Sequence, residues 1–320
     1  MARSEEVRFR AGDDELVGTL RLPDVTGRAP WALLLPSWLP RDRDGAWDRL
    51  GHPTWFAADD GGRPGLLARL ADLLADAGVA SFRYDKRGCA ASGGSWTEAS
   101  LFTLIDDARD AIGAMRSRSD LDLRRTGILG HGEGATIALS VSIGDPAISA
   151  VTFIGAAARS LRDVWRRGAA VRARTGIDHE HPIVAELDRW CEELLERAER
   201  REARMVLTVA HERVVLDLAS WEQAIHTPAR ALATMLHRSV ALVHGAHDAW
   251  TDPDESLLLA ATPGWLAGDG ARVEIIADAG HDLAEASETA IAAVAADLAR
   301  RIVPRALPPV LLAIEDADAG

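Results

Sequence analysis

The segment Gly130-His131-Gly132-Glu133-Gly134 constrains this chain more than any other. The stretch before it, Arg125-Thr126-Gly127-Ile128-Leu129, reads as a strand, and Ala135 to Ile143 begins a helix. Glycines at a strand-to-helix junction permit a turn too tight for most side chains. A chain organised around such a unit belongs among folds that alternate strands and helices.

The rest of the sequence agrees. Val7 to Arg10 and Leu16 to Leu22 flank Ala11-Gly12-Asp13-Asp14 and read as a β-hairpin. Trp31-Ala32-Leu33-Leu34-Leu35 is a short apolar run of buried-strand type, with a loop from Pro36 to Gly45. A helix over Leu66 to Ala77 ends at Gly78, and strand Val79 to Tyr84 follows. Ser100 to Ser117 reads as an amphipathic helix and Ala150 to Ile154 as another strand. From about Arg159 to Leu236 the pattern becomes helical and heavily charged, without convincing strand alternation; Leu187 to Arg204 is its clearest helix. Strands resume at Val240 to His244 and Val273 to Ile276, and a last helix spans Leu283 to Ile302. The expected fold class is therefore α/β, a mostly parallel doubly wound sheet covered on both faces, with a helical cap insertion. The expected division is a core of residues 1–156 and 237–303, a cap of 157–236 and a tail of 304–320. Ligands of such sheets bind outside the carboxyl ends of the strands, where the glycine-rich turn and the loops after Leu35, His244 and Ile276 all lie.

Composition excludes several function classes. A net charge of −13 argues against nucleic acid and anionic membrane surfaces as partners. Two cysteines, Cys89 and Cys191, are too few for a disulfide framework and fit a reducing cytoplasm, the expected location. The first residues show no signal-peptide pattern, and the apolar runs are too short to span a bilayer. No phosphate loop, dinucleotide fingerprint or metal-ligand cluster is evident, so no cofactor and no metal are expected. His179 and His181, beside Asp178 and Glu180, lack a matching partner motif. The expected partner is a small-molecule substrate; oligomeric state is open, a homodimer included. Ten tryptophans against one tyrosine, several in loops near the site, suggest an aromatic-lined pocket.

Four segments in order resemble the α/β-hydrolase superfamily, in particular an esterase-like and dienelactone-hydrolase-like branch. Pro40-Arg41-Asp42-Arg43-Asp44-Gly45 resembles the end of that branch's oxyanion loop, and Arg83-Tyr84-Asp85-Lys86-Arg87-Gly88 its R-Y-D-K-R-G turn. Residues 130–134 resemble its G-H-S-E-G nucleophile elbow. His244-Gly245-Ala246-His247-Asp248 and Ala279-Gly280-His281 resemble its acid and histidine loops. The resemblance implies His281 as catalytic base and Asp248 as the acid that orients it. It also implies a degenerate nucleophile position, because Gly132 stands where the branch has serine.

A second departure lies in the oxyanion loop. Where the branch carries H-G-S-G, this chain has Pro36-Ser37-Trp38-Leu39, and proline offers no amide donor. Two changes at one centre point to natural divergence rather than an isolated Ser-to-Gly substitution. Glu133, Ser37 and Trp38 are the expected oxyanion and elbow residues, with the Glu133 amide still a candidate donor and Ser37 a candidate to orient a ligand. Trp38, His131, Trp250, Trp165 and Trp96 are the expected pocket residues. Glu133 and His131 are usual at their positions in that branch, and His131 is expected to pack against its neighbours. Cys89 reads as a buried thiol, and Lys86, the sole lysine, suggests a structural need for a compact ammonium.

A histidine held by an aspartate is a general base even without serine. Loss of the elbow side chain is expected to enlarge the pocket floor, which favours proton-transfer chemistry (elimination, isomerisation, cyclisation or water addition) on a small apolar or aromatic carbonyl compound, a biosynthetic setting included. Two alternatives stay open. One is a non-catalytic binder using the old pocket. The other is an inactive form of a carboxylic-ester or thioester hydrolase, which serine restored at Gly132 would revive.

Overall fold

β1 (Arg3–Ala11) and β2 (Asp14–Leu22) form the opening hairpin, and β2 docks antiparallel on the first buried strands of the sheet. Then follow β3 (Ala29–Leu35), α1 (Leu66–Asp76), β4 (Ala80–Tyr84), α2 (Leu101–Arg116), β5 (Leu121–His131), α3 (Glu133–Gly144) and β6 (Ile148–Ile154). An insertion carries α4 (Leu161–Thr175), α5 (Pro182–Arg189), α6 (Cys191–Glu199), β7 (Arg204–Val209), β8 (Glu212–Asp217), α7 (Glu222–His226) and α8 (Ala229–Ala233). β9 (Val240–Gly245), α9 (Asp254–Ala260), β10 (Ala271–Ile276) and α10 (Glu288–Ile302) complete the chain. This computed structural model describes residues 2–56, 64–175, 181–219, 221–226, 228–263, 265 and 270–303. The expected tail at 304–320 lies outside them, as do Asp178, His179 and Glu180.

The eight-stranded sheet runs β1-β2-β4-β3-β5-β6-β9-β10, parallel from β4 onward. Every residue of β3 is buried, because helices cover both faces. The alternation of a strand divides its side chains: Trp31, Leu33 and Leu35 join the cluster with α2 and α3, while Ala32 and Leu34 join α1 and α10. Each fully buried leucine here contributes about 1.5–3 kcal/mol of transfer free energy. Ser100 and Ser287 cap α2 and α10 by accepting the N–H of Thr103 and Ala290, at 3.0 and 3.2 Å. Ile291, Val294, Ala295, Leu298 and Ile302 form the buried stripe that seats α10.

The insertion departs from expectation in two ways. It contains an antiparallel hairpin, β7–β8, whose inner residues Met205, Leu207, Val209, Val214 and Leu216 are buried with α5 and α6 in a cluster that also takes in Leu39, Trp55, Phe56, Cys89 and Trp96 from the loops of the sheet. The turn residues Ala210 and His211 both have positive φ, 47° and 73°, the backbone of a two-residue hairpin turn without the usual Asn-Gly signature. The helix expected over Leu187 to Arg204 is also split: α5 ends at Arg189, and α6 starts at Cys191 after the Trp190 turn.

Candidate active site

Register alone brings the functional loops together. Leu35 pairs with Gly130, His131 with Ile154, and Gly245 with Ile276, so β3, β5, β6, β9 and β10 end along one edge. Ser37 lies two residues beyond β3, Gly132 just beyond β5, Asp248 beyond β9 and His281 beyond β10.

At the β5–α3 junction Gly132 has φ 53° and ψ −116°, a conformation that glycine adopts without Cβ strain. The turn thus keeps the sharp geometry of an elbow. A Cβ built on Gly132 would land on Ser37 Oγ, and would stand 2.9 Å from His281 Nε2. The space that a side chain at the elbow would use is therefore filled by Ser37, reaching in from the β3 loop. This corrects the expectation of an enlarged pocket floor and of a site stripped of its hydroxyl.

Ser37 Oγ is 2.9 Å from His281 Nε2, and His281 Nδ1 is 2.7 Å from Asp248 Oδ2. Asp248 has only acceptors to offer, so Nδ1 carries the proton and Nε2 accepts from the Ser37 hydroxyl. The other Asp248 oxygen accepts the N–H of Trp250 and Thr251, both at 2.8 Å. His244 Nε2 stands 3.1 Å from Asp248 Oδ2 and 2.8 Å from the Thr251 carbonyl, while its Nδ1 accepts from Ser256 Oγ at 2.7 Å. Burial opposes the Asp248 charge, but His281 and the hydrogen bonds from both histidines outweigh it and hold the carboxyl well below the usual carboxylate range. Burial likewise opposes protonation of His281, yet the Asp248 charge and hydrogen bond raise its pKa above the ordinary histidine value. Gly155 makes room for this pair: a Cβ there would come 3.0 Å from His281 Cε1 and 3.3 Å from Asp248 Oδ2.

The loop that delivers Ser37 is pinned from several sides. The buried Lys86 donates to the Ser37 carbonyl at 3.1 Å and to Glu133 Oε2 at 2.7 Å, tying the β3 loop to the first residue of α3. Leu39 is fully buried with φ 66°, a left-handed conformation that costs a branched residue free energy and persists only where packing holds it. Arg41 forks onto Asp282 at 3.1 and 3.2 Å and lies over the Trp47 ring. Arg43 grips Asp85 through its backbone and side-chain nitrogens. The N–H of Glu133, at the start of α3, has no acceptor within its own helix, and the positive end of the helix dipole lies beside it.

Above Ser37 is a chamber of about 120 Å³ whose lining includes Gly132, Glu133, His281, Trp38, Trp165 and Trp250. Trp38 meets Trp165, Trp221 and Trp250 edge-on, with centroids 5.5, 6.1 and 6.4 Å apart. Two expected pocket residues sit elsewhere. Trp96 lines an adjoining pocket between Trp38 and Trp221. His131 lies behind the base, its Nε2 donating to the His281 carbonyl at 3.0 Å, and burial with the nearby His281 lowers its pKa to about 3. Cys89 is buried, and desolvation raises its pKa to about 12, which keeps it a thiol. Among the described residues, one group has metal-ligand proximity: His131, His281 and Asp282. His131 Nε2 is engaged with the His281 carbonyl, both His281 nitrogens with Ser37 and Asp248, and Asp282 with Arg41, while His131 Nδ1 is buried without a partner among the described residues. Two roles differ from the sequence-based expectation. His244 joins the site without having been singled out there, although its place four residues before Asp248 is a usable signal. Ser37, expected as an oxyanion-loop residue, lines the chamber and is also the hydrogen-bond partner of His281.

The sheet order, the elbow and the chain order of the acid and histidine loops define an α/β-hydrolase fold. The family model of serine aminopeptidase, S33, matches residues 62–288, and the chain belongs to that family. No curated protein sequence matches this one. Among solved structures it resembles Est1E from Butyrivibrio proteoclasticus with ferulic acid bound (TM-score 0.63, 12% identity, 92% of this chain and 99% of that one). It is similar to DcsB in complex with its substrate analogue (TM-score 0.64, 13% identity, 94% and 100%). A third likeness is to 2,6-dihydroxy-pseudo-oxynicotine hydrolase (TM-score 0.61, 14% identity, 94% and 68%). At such identities these likenesses speak for the fold. Among the described residues, no helix is long and apolar enough to cross a membrane.

Proposed function

We propose that this protein is an acyl hydrolase acting on a carboxylic ester or thioester with an apolar or aromatic part, and that its nucleophile is Ser37. The observation that carries the reading is the hydrogen bond from Ser37 Oγ to His281 Nε2 at 2.9 Å, over an elbow glycine that leaves the space free. In the first half-reaction His281 Nε2 takes the Ser37 proton as Oγ attacks the carbonyl carbon. The imidazolium is stabilised by Asp248, and the same proton then passes to the leaving oxygen or sulfur. In the second, His281 takes a proton from water, hydroxide adds to the acyl-Ser37 carbonyl, and collapse returns the proton to Oγ. The amide at the start of α3 is suited to the charge that develops on the carbonyl oxygen. The serine aminopeptidase family and the esterase and hydrolase neighbours support acyl transfer to water as the reaction class.

The test is labelling with a fluorophosphonate and mapping of the adduct by peptide mass. The adduct is expected on Ser37, with Ser37→Ala and His281→Ala each lowering ester turnover by at least about 10⁴-fold. An adduct on another residue, or full turnover in Ser37→Ala, defeats the proposal.

A second reading keeps His281 and Asp248 as a base that moves substrate protons with no covalent step. What favours it is the position of His281 on the wall of an aromatic-lined chamber, 6.1 Å from the Trp250 ring between centroids. It requires activity that survives Ser37→Ala and disappears in His281→Ala.

A further inference from the structure

Two arginines line the chamber above Ser37, and they are in different states. Arg172 is fully engaged. Its Nε and Nη2 hold Asp188 at 2.7 and 2.6 Å, its Nη1 donates to the Ala249 carbonyl at 3.1 Å, and its guanidinium lies 4.5 Å from the centroid of Trp250. Each of its three nitrogens is engaged, and it braces the tryptophan wall.

Arg159 is held but not used up. The buried Glu255 carboxylate accepts the N–H of Ala158 and of Arg159 with one oxygen, at 2.9 and 3.0 Å, and pairs with Arg159 Nη1 through the other. That arrangement fixes the guanidinium at the chamber wall. Among the described residues nothing accepts from Nε or Nη2 of Arg159. Those two donors form the side-on fork of the guanidinium, whose spacing matches a carboxylate bidentately. Arg159 also lines an open groove of about 800 Å³ that includes Arg162, His226 and Arg230. Arg159 is thus shared by the chamber and this wider groove, where Asp163 also lies and Arg162 is paired with Glu199.

We infer that Arg159 is a carboxylate-recognition point, and that the substrate carries a carboxylate at the end remote from the scissile carbonyl. The inference rests on the reading of Ser37 as nucleophile. A neutral ligand filling the chamber strips water from the Arg159 fork and leaves two donors unpaired; a carboxylate pairs both. Sites with buried donors discriminate strongly against analogues that cannot use them. Glu255 balances the charge of the guanidinium, so recognition here depends on the fork rather than on a long-range field.

The test has a binding arm and a turnover arm. In Ser37→Ala, tryptophan fluorescence is titrated with cinnamate and with cinnamamide. Cinnamate is expected to bind at least tenfold tighter, and the contrast is expected to vanish in Ser37→Ala/Arg159→Gln. Ser37→Ala/Arg159→Lys keeps a cation beside Glu255 but removes the fork, so it carries the test if the glutamine variant does not fold. In the wild-type protein, kcat/KM is compared for p-nitrophenyl hemiglutarate against p-nitrophenyl valerate, and for 4-carboxyphenyl butyrate against 4-carbamoylphenyl butyrate. At least a tenfold preference for the acidic member of one pair is expected, and which pair shows it assigns the carboxylate to the acyl or the leaving-group side. Equal binding of cinnamate and cinnamamide, or a contrast that survives both Arg159 substitutions, overturns the proposal. A binding contrast without hydrolysis of any of the four esters leaves Arg159 in place and counts against Ser37. Hydrolysis without preference for either acid does the reverse.

Discussion

With Ser37 read as the nucleophile, the β5–α3 elbow and the β3 loop exchange duties. The elbow keeps its backbone, with Gly132 at φ 53°, and contributes no side chain. The β3 loop has the altered sequence Pro36-Ser37-Trp38-Leu39, and it delivers the hydroxyl that touches His281. Each segment considered alone looks damaged. Together they put an oxygen in hydrogen-bond contact with the imidazole, because β3 and β5 are neighbours in the sheet and end side by side. What a base can activate is set by what sits within hydrogen-bond reach of it, and here the loop of an adjacent strand places a hydroxyl there.

The sharpest way to break this comparison is to put serine back at the elbow. Gly132→Ser is expected to lower ester kcat/KM at least about 100-fold, because its Cβ collides with Ser37 Oγ and pushes the hydroxyl off Nε2. Moving the hydroxyl rather than duplicating it, with Ser37→Gly/Gly132→Ser, is expected to recover at least tenfold of that loss. A single Gly132→Ser protein more active than the wild type would return the nucleophile to the elbow and make Ser37 incidental.

A smaller effect is expected at the link between the two segments. Lys86→Met removes the donor that joins the Ser37 carbonyl to Glu133. Lys86 acts on the reaction through Ser37, so kcat is expected to fall about 10–100-fold with KM nearly unchanged, and Lys86→Arg to recover part of it. The pH at which activity rises should not move, since the base is untouched. A proportional rise in KM would instead make Lys86 a substrate contact.

Much of the framework is legible in the amino-acid sequence. The hairpin, the buried strand runs and the capped helices carry local signals, and parallel βα units leave few ways to assemble them. Asp248 and His281 stand out because each sits in a recognisable loop. Ser37 does not, because its role depends on a contact with a residue 244 positions away, set by how the β3 loop folds over β5. The left-handed Leu39 that helps turn this loop has no sequence signature of its own. The β7–β8 hairpin is concealed for a related reason: its Ala210-His211 turn takes positive φ without glycine or asparagine, and the charged residues around it imitate a helix face. Proximity in sequence suggests His131 and Trp96 for the pocket, but it fixes neither the face of a strand nor the side of a wall.

The smallest effect separates the base from both segments. His281 must be neutral at Nε2 to accept the Ser37 proton, so kcat/KM is expected to rise with pH along a limb set by His281. Asp248 raises the pKa of that ring, so the limb should lie above the ordinary histidine value near 6.5. Asp248→Asn removes the charge and leaves burial, which opposes protonation; the limb of the residual activity should then fall below that value. The same limb is expected in the exchanged Ser37→Gly/Gly132→Ser protein, because the base and its aspartate do not depend on which strand holds the hydroxyl. A limb that moves with the serine would show that the two loops tune the imidazole as well as feed it, and the exchange of duties would be more than a change of address.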